Sequence, residues 1–382
     1  MMKEQEKEDI DLAFLFIGGV HHVLHLAPVA AEISQRRPDL AVHCICSDEA
    51  TAAAVEEVAA SRQCNLQVTR MRTPLLSRLM MALTGRKAAG KGPLLLAIRL
   101  RMRRARAIVT AERTSAYLRW MGWRRPLIHF RHGAGDRAPA SEARLRAFDL
   151  VIVPGGKDIE RAVSRGVERN RLRAAGYVKL DYLQAGQPGE PLFTNGRPTV
   201  LYNPHFDPKI SSFGMAREVI ECFRRQERYN LVFAPHVRAV EDLAAADRSA
   251  LERLAEPGRI IVDLGSPALF NMRYVLAADL YLGDMSSQLY EFLARPRPVA
   301  FINAHGVDWR DNPRYAGWHL GEVANGTADL MAVIDRAIAG HAEKVARQQQ
   351  AVAFAFGDYP GAAARAADIV LEFMQQAPSC AE

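Results

Sequence analysis

Short apolar runs recur along this chain, each closed by a turn and followed by a stretch whose apolar residues have helical spacing. Asp11 to Ile17, Ala41 to Cys46, Leu66 to Met71, Pro126 to Phe130 and Leu150 to Val153 form one series. Thr199 to Tyr202, Leu231 to Phe233, Ile260 to Val262, Ala278 to Leu282 and Val299 to Ile302 form a second. Strands that are apolar throughout are buried on both faces, and strands that alternate with helices build parallel sheets covered by helices. Between the series, Ala185 to Pro198 carries Gly186, Pro188, Gly189, Pro191, Gly196 and Pro198, which predicts a domain boundary. The expected fold is therefore α/β: two Rossmann-like domains, residues 1–190 and 191–382, whose parallel sheets face an interdomain cleft. The C-terminal helices, near Ala328 to Gln350 and Ala362 to Gln375, can cross back to the first domain.

Charge is unevenly distributed. Of 50 Lys and Arg and 43 Asp and Glu, the window from Arg70 to Arg125 holds fifteen basic residues against a single acid, Glu112, so the rest of the chain is net negative. Within that window Leu75, Leu79, Met80 and Leu83 have helical spacing, as do Leu94, Leu95, Ile98, Met102 and Ile108, the latter interleaved with Arg99, Arg101, Arg103, Arg104 and Arg106. Apolar groups with arginines and with Trp120 and Trp123 suit a helix lying on an anionic membrane surface. An amphipathic helix docked on its own sheet with a solvated basic face remains open. Nucleic acid is not expected, for want of a recognition motif. The acidic and basic start from Lys3 to Asp9 is no secretory signal, and no run reaches the length of a spanning helix. The five cysteines show no paired metal spacing and read as reduced thiols. Together these features point to a cytoplasmic protein, peripheral on the inner face of the cell membrane.

Polar groups that follow apolar runs are candidates for chemistry, since ligands of open α/β sheets bind at the carboxyl ends of strands. Gly18 and Gly19 end the first run, where they either admit a ligand to the backbone or simply make the turn. The sequence there is not G-x-G-x-x-G, and no P-loop is present. Arg131-His132-Gly133 and Pro235-His236-Val237-Arg238 end two further runs. Asp284-Met285-Ser286-Ser287 ends another, before a helical pattern that includes Glu291 and Phe292. Hydroxyls and unpaired N–H groups at a helix start suit a phosphate, although serine there is also an ordinary cap. No metal cluster is evident and no cofactor is expected; Asp9-Ile10-Asp11 precedes the first strand.

The order His132-Gly133, then Pro235-His236, then Asp279 to Phe292 with Asp284, Ser286 and Ser287, closed by Arg297-Pro298, resembles the CDP-glycerol glycerophosphotransferase family, the teichoic-acid polymerases and primases. Gly176 to Asp181 resembles that family's motif at the end of its first domain, while Met285, Tyr290, Glu291, Val237 and Asn203 to Asp207 depart from its pattern. The resemblance implies a GT-B-like fold. It also implies a transferase of cell-envelope synthesis that moves a polyol phosphate from a CDP-activated donor to a hydroxyl of an amphiphilic lipid or glycan acceptor, with release of CMP. His132 is then the expected base, and His236 binds or protonates phosphate. Gly133, Arg238, Asp284, Ser286, Ser287 and Glu291 serve the donor, and Gly18 and Gly19 line the cleft. Two other readings stand beside it: a GT-B glycosyltransferase or UDP-sugar 2-epimerase, and a non-catalytic, membrane-docked binding protein on the same scaffold.

Overall fold

The computed structural model describes residues 10–71, 91–133, 140–184, 189–241, 243–269, 271–286 and 288–376. The chain divides into two compact units. The first comprises residues 1–132, 139–183 and 355–382, and the second residues 133–138 and 184–354. Each contains a parallel sheet, and the fold is GT-B-like α/β.

In the first unit the described strands are β1 Leu12–Phe16, β2 Val42–Cys46, β3 Gln67–Arg70, β4 Ala107–Thr110, β5 Leu127–Phe130, β6 Leu150–Val153 and β7 Leu172–Ala174, in the order β3-β2-β1-β4-β5-β6-β7. Alternate side chains of β1 supply two cores. Leu12, Phe14 and Phe16 pack with helices Val23–Arg36, Glu49–Ser61 and Ala362–Gln376, whereas Ala13 and Leu15 pack with Leu95, Ile98 and Met102. This double burial is why the strands read as unbroken apolar runs.

The last helix belongs to this unit through Ala363, Ala366, Ala367 and Val370. Asp181 holds its start, its carboxylate accepting the N–H groups of Gly361 at 2.7 Å and Ala363 at 3.0 Å. Beside it, Gly176 has φ +89°, and a Cβ there would lie 2.7 Å from the Asp358 carbonyl oxygen. Only glycine fits both restrictions.

In the second unit the described strands are β8 Thr199–Asn203, β9 Asn230–Phe233, β10 Ile260–Val262, β11 Leu280–Gly283, β12 Val299–Ile302 and β13 Glu322–Ala324, in the order β10-β9-β8-β11-β12-β13. Val200, Tyr202, Leu231, Phe233, Leu280 and Leu282 face the helices Ala216–Arg224 and Leu330–Ala339. Strand order reverses between β1 and β4 in one sheet and between β8 and β11 in the other. The turns that follow these strands stand where an open sheet receives ligands.

The helix expected to run through Ile108 is shorter than its apolar spacing implied. It spans Lys91–Arg101, and Ala107–Thr110 is strand β4, paired with β1 and β5. Arg103, Arg104 and Arg106 therefore lie in the connection, and Arg106 forms an ion pair with Asp11 at 2.8 Å. The expected helix through Leu75 and Leu83 lies outside the described residues, as do Ser287, residues 134–139 and residues 185–188 of the Gly- and Pro-rich stretch.

Candidate functional site

Polar groups gather at the strand ends of each unit. In the first unit the turn after β1 carries Gly18, Gly19, His21 and His22, and the end of β5 carries His132. His22 is buried, and its Nε2 lies 3.1 Å from Nε2 of His132, so one of the two donates a hydrogen bond to the other. Gly18 makes this approach possible, because a Cβ there would lie 2.0 Å from Cε1 of His22. Gly19 adopts φ +107°, which turns the chain into the helix. The Gly18-Gly19 turn thus seats a histidine ring. The ring of His25 stands 6.0 Å from that of His132 and edge-on to Tyr177 at 5.1 Å.

Beneath these rings Arg131 forms buried ion pairs with Glu142 and Asp158, each at 2.6 Å, which fix the strand end next to His132. Burial, followed by His21, Arg113 and Arg131, pushes the His132 imidazole down to about 3. It is therefore neutral at pH 7, and a weak base there until a neighbouring anion raises it. Among the described residues its Nδ1 has no hydrogen-bond partner. Gly133 follows with φ +77°.

In the second unit three adjacent strands, β9, β8 and β11, end in Pro235-His236, Pro204-His205 and Asp284. Asp284 is buried and its carboxylate faces the neighbouring turn. It accepts the His205 N–H at 3.0 and 3.1 Å, the Ser212 N–H at 2.8 Å and the Ser212 hydroxyl at 3.1 Å. Burial raises its pKa to about 6 against the pull of those donors. The Trp318 indole N–H reaches the Asp284 carbonyl at 3.3 Å. Asp284 is a positioning residue in this arrangement, braced inside the unit.

What the brace holds is partly exposed. His205 stacks on Phe206 at 4.3 Å, the His236 ring stands 4.8 Å from Phe206, and the Arg238 guanidinium lies 3.9 Å from the Phe206 centroid. The His236 N–H donates to the Pro204 carbonyl at 3.0 Å, and its Nδ1 accepts the Arg238 N–H at 3.2 Å. Two imidazoles, a guanidinium and an aromatic face can bind an anionic, ring-bearing ligand.

Ser286 accepts the Gln288 N–H at 3.2 Å and so acts as the cap of a helix only five residues long, Gln288–Phe292. Glu291 is buried on that helix. Arg297 is buried beneath it, donating to the carbonyls of Val275 at 2.9 Å and Ala278 at 2.6 Å, with its guanidinium 3.6 Å from the Phe292 centroid.

The structure thus brings together His236, Arg238 and the turn braced by Asp284 in one unit, and Gly18 and His132 in the other. Sequence reasoning missed His205, His21 and His22 as site residues. For His205 a signal existed: Pro204-His205 and Pro235-His236 repeat the same Pro-His step after adjacent strands.

No protein-family model matches the chain, and no curated protein is similar to it in sequence. Solved structures share its fold. The wall teichoic acid polymerase TagF aligns over 97% of this chain and 90% of its own, at 13% identity and a TM-score of 0.63. The S. aureus MnaA–UDP complex aligns over 98% and 100%, at 13% identity and a TM-score of 0.59. The UDP-GlcNAc 2-epimerase from Neisseria meningitidis, bound to UDP-GlcNAc, aligns over 96% and 100%, at 12% identity and a TM-score of 0.56.

Proposed function

We propose that this chain is a transferase that uses a CDP-activated polyol phosphate as donor and a hydroxyl of a membrane-associated lipid or glycan as acceptor. The observation that carries this reading is the basic and aromatic strand-end cluster of His205, Phe206, His236 and Arg238 in the second unit, a seat for an anionic, ring-bearing donor. The likeness in fold to a wall teichoic acid polymerase agrees with it.

In the proposed reaction the acceptor oxygen attacks the phosphorus that bears the polyol. The bond from that phosphorus to the CMP oxygen breaks, and CMP leaves with the bonding pair. His132 takes the acceptor's proton once the anionic donor beside it raises its pKa toward neutral; a positioned base so tuned contributes roughly 10²–10⁴ in rate. His236 and Arg238 offset charge on the phosphate oxygens, and His236 can return a proton to CMP. Ser286, Ser287 and Gly133 border the donor, Asp284 and Glu291 hold their supports, and Gly18 and Gly19 seat the rings near His132. No step requires a cofactor.

The membrane part of the proposal has its own support. Leu96 and Leu100 on helix Lys91–Arg101 are 51% and 64% exposed, and Trp120 is 85% exposed. The reading sets these apolar groups, with Arg99, Arg101, Arg103, Arg104 and Arg106, against anionic lipid at the inner face of the membrane. No helix among the described residues is long and apolar enough to cross a membrane.

A second reading has a specific observation in its favour: two of the structures of like fold hold UDP or UDP-GlcNAc. Thermal shift with CMP and CDP against UMP and UDP separates the two. Stabilisation by the cytidine nucleotides supports the proposal. Stabilisation by the uridine pair alone transfers the case to a UDP-sugar enzyme.

A further inference from the structure

The turn after β1 and the end of β5 bring three imidazoles to one point. His21, His22 and His132 each offer a ring nitrogen, and these nitrogens all lie within 4.8 Å of one another. Nε2 of His22 and Nε2 of His132 are 3.1 Å apart. Two nitrogens on one tetrahedral zinc-class ion, each at about 2.0–2.1 Å, stand about 3.3 Å from each other. This pair is already at ligand spacing, and His21, which is exposed, offers the third nitrogen within 4.8 Å. We propose that His21, His22 and His132 form a binding site for one divalent transition-metal ion of the zinc class.

The chemistry of the donors favours that class. Three imidazoles and no carboxylate suit zinc, cobalt or nickel and do not suit magnesium or calcium, which take oxygen ligands. The ligating form of histidine is the neutral one. The seat of the His22 ring on Gly18 fixes one ligand in advance, so less ordering is needed when the ion arrives. Three protein ligands leave a tetrahedral ion with a fourth position for water or an anion, as in catalytic zinc sites. This site goes beyond the transferase reading, since it depends on three side chains and on no particular donor. It also bears on that reading: an ion on Nε2 of His132 occupies the lone pair that a base needs, so the loaded and the base-competent states exclude each other.

The test uses untagged full-length protein, stripped with a chelator and titrated with Co²⁺, then with Zn²⁺. The expected result is one equivalent of Co²⁺ bound with a Kd of about 1 µM or tighter, with the visible absorption of a four-coordinate ion, displaced by Zn²⁺. His21→Ala, at an exposed position, should weaken binding by at least about tenfold, the loss that even an outer partner of a ligand causes. His132→Ala should do the same, with melting followed by circular dichroism to show that it is folded. Absence of a one-equivalent site overturns the proposal. So does unchanged affinity in either variant, or the strong charge-transfer absorption of a cysteine thiolate on cobalt. These outcomes concern binding alone, so failure of the transferase reading leaves them intact.

Discussion

The Asp284 carboxylate accepts the backbone N–H of His205 at 3.0 Å, across 79 positions of the chain. That bond ties the end of β11 to the end of β8 and sets where the rings of His205 and Phe206 lie. The same carboxylate takes two donors from Ser212, so one buried acid fixes the whole turn from Pro204 to Ser212.

Asp284→Asn should loosen that turn. An amide presents N–H where two backbone N–H groups point, and a buried unsatisfied donor costs about 1–3 kcal/mol. Urea denaturation should show a loss of that size, together with weaker nucleotide binding. Unchanged values for both would mean that the brace does not act.

Acid should act at the same carboxylate. Burial lifts Asp284 to about 6, so it is ionised above that pH and protonated below. Because the folded pKa exceeds the unfolded one, proton uptake by this group favours the fold as pH falls from about 6 towards 3.9. The protonated acid nevertheless accepts less well from His205 and Ser212. Nucleotide affinity is expected to fall below about pH 6 in the wild type, and this limb should be missing in Asp284→Asn. Equal pH profiles for the two proteins would refute the assignment.

His129 should impose an acid limit on stability. It is buried beside Phe148, and burial, then His132, Arg113 and Arg131, hold it well below the usual histidine range. Its contribution is full above about pH 6.5 and is lost as pH falls from there, because only the unfolded chain then binds the proton. The slope is about 1.4 kcal/mol per pH unit. Denaturation of His129→Leu at pH 7 and pH 5 should show a smaller loss on acidification than the wild type shows. Identical losses would place the titration elsewhere.

Gly18→Ala tests the seat of His22. The added Cβ would lie 2.0 Å from Cε1 of His22, so the ring must move. A displacement of about 1 Å near reacting groups costs roughly a hundredfold in rate, and turnover should fall by that order, with a loss of stability of about 1–3 kcal/mol from overpacking the buried ring. Full activity would show that the position of His22 is irrelevant to turnover.

Leu100→Ser with Trp120→Ser tests the membrane surface. Both residues are exposed, so the fold should be unaffected. Sedimentation with anionic vesicles should show binding reduced by at least about tenfold, with the arginines left in place. Binding that is equal on neutral and anionic vesicles, or equal in the variant, would point to a solvated face instead.

The doubly buried strands announced themselves in the sequence because their apolar runs are unbroken, as in Leu12–Phe16 and Val299–Ile302. Strand β4 did not. Ile108 continues the apolar spacing of Ile98 and Met102, and nothing local distinguishes a strand from another helical turn there. Edge strands such as β7 and β13 were hidden by their half-exposed, mixed residues. At the site, the strand-end positions of His132, His236 and Asp284 were legible. The inward direction of the Asp284 carboxylate was not, since its donors on His205 and Ser212 are more than seventy residues away.

The most direct test of the transferase reading is release of CMP from CDP-glycerol, measured with and without an amphiphilic glycan or lipid acceptor, for the wild type and for folded His132→Ala. The expected result is acceptor-dependent CMP release that falls at least about a hundredfold in the variant. Near-normal release by His132→Ala would remove the base, and release of UDP from a UDP-sugar with no CMP from CDP-glycerol would contradict the donor class.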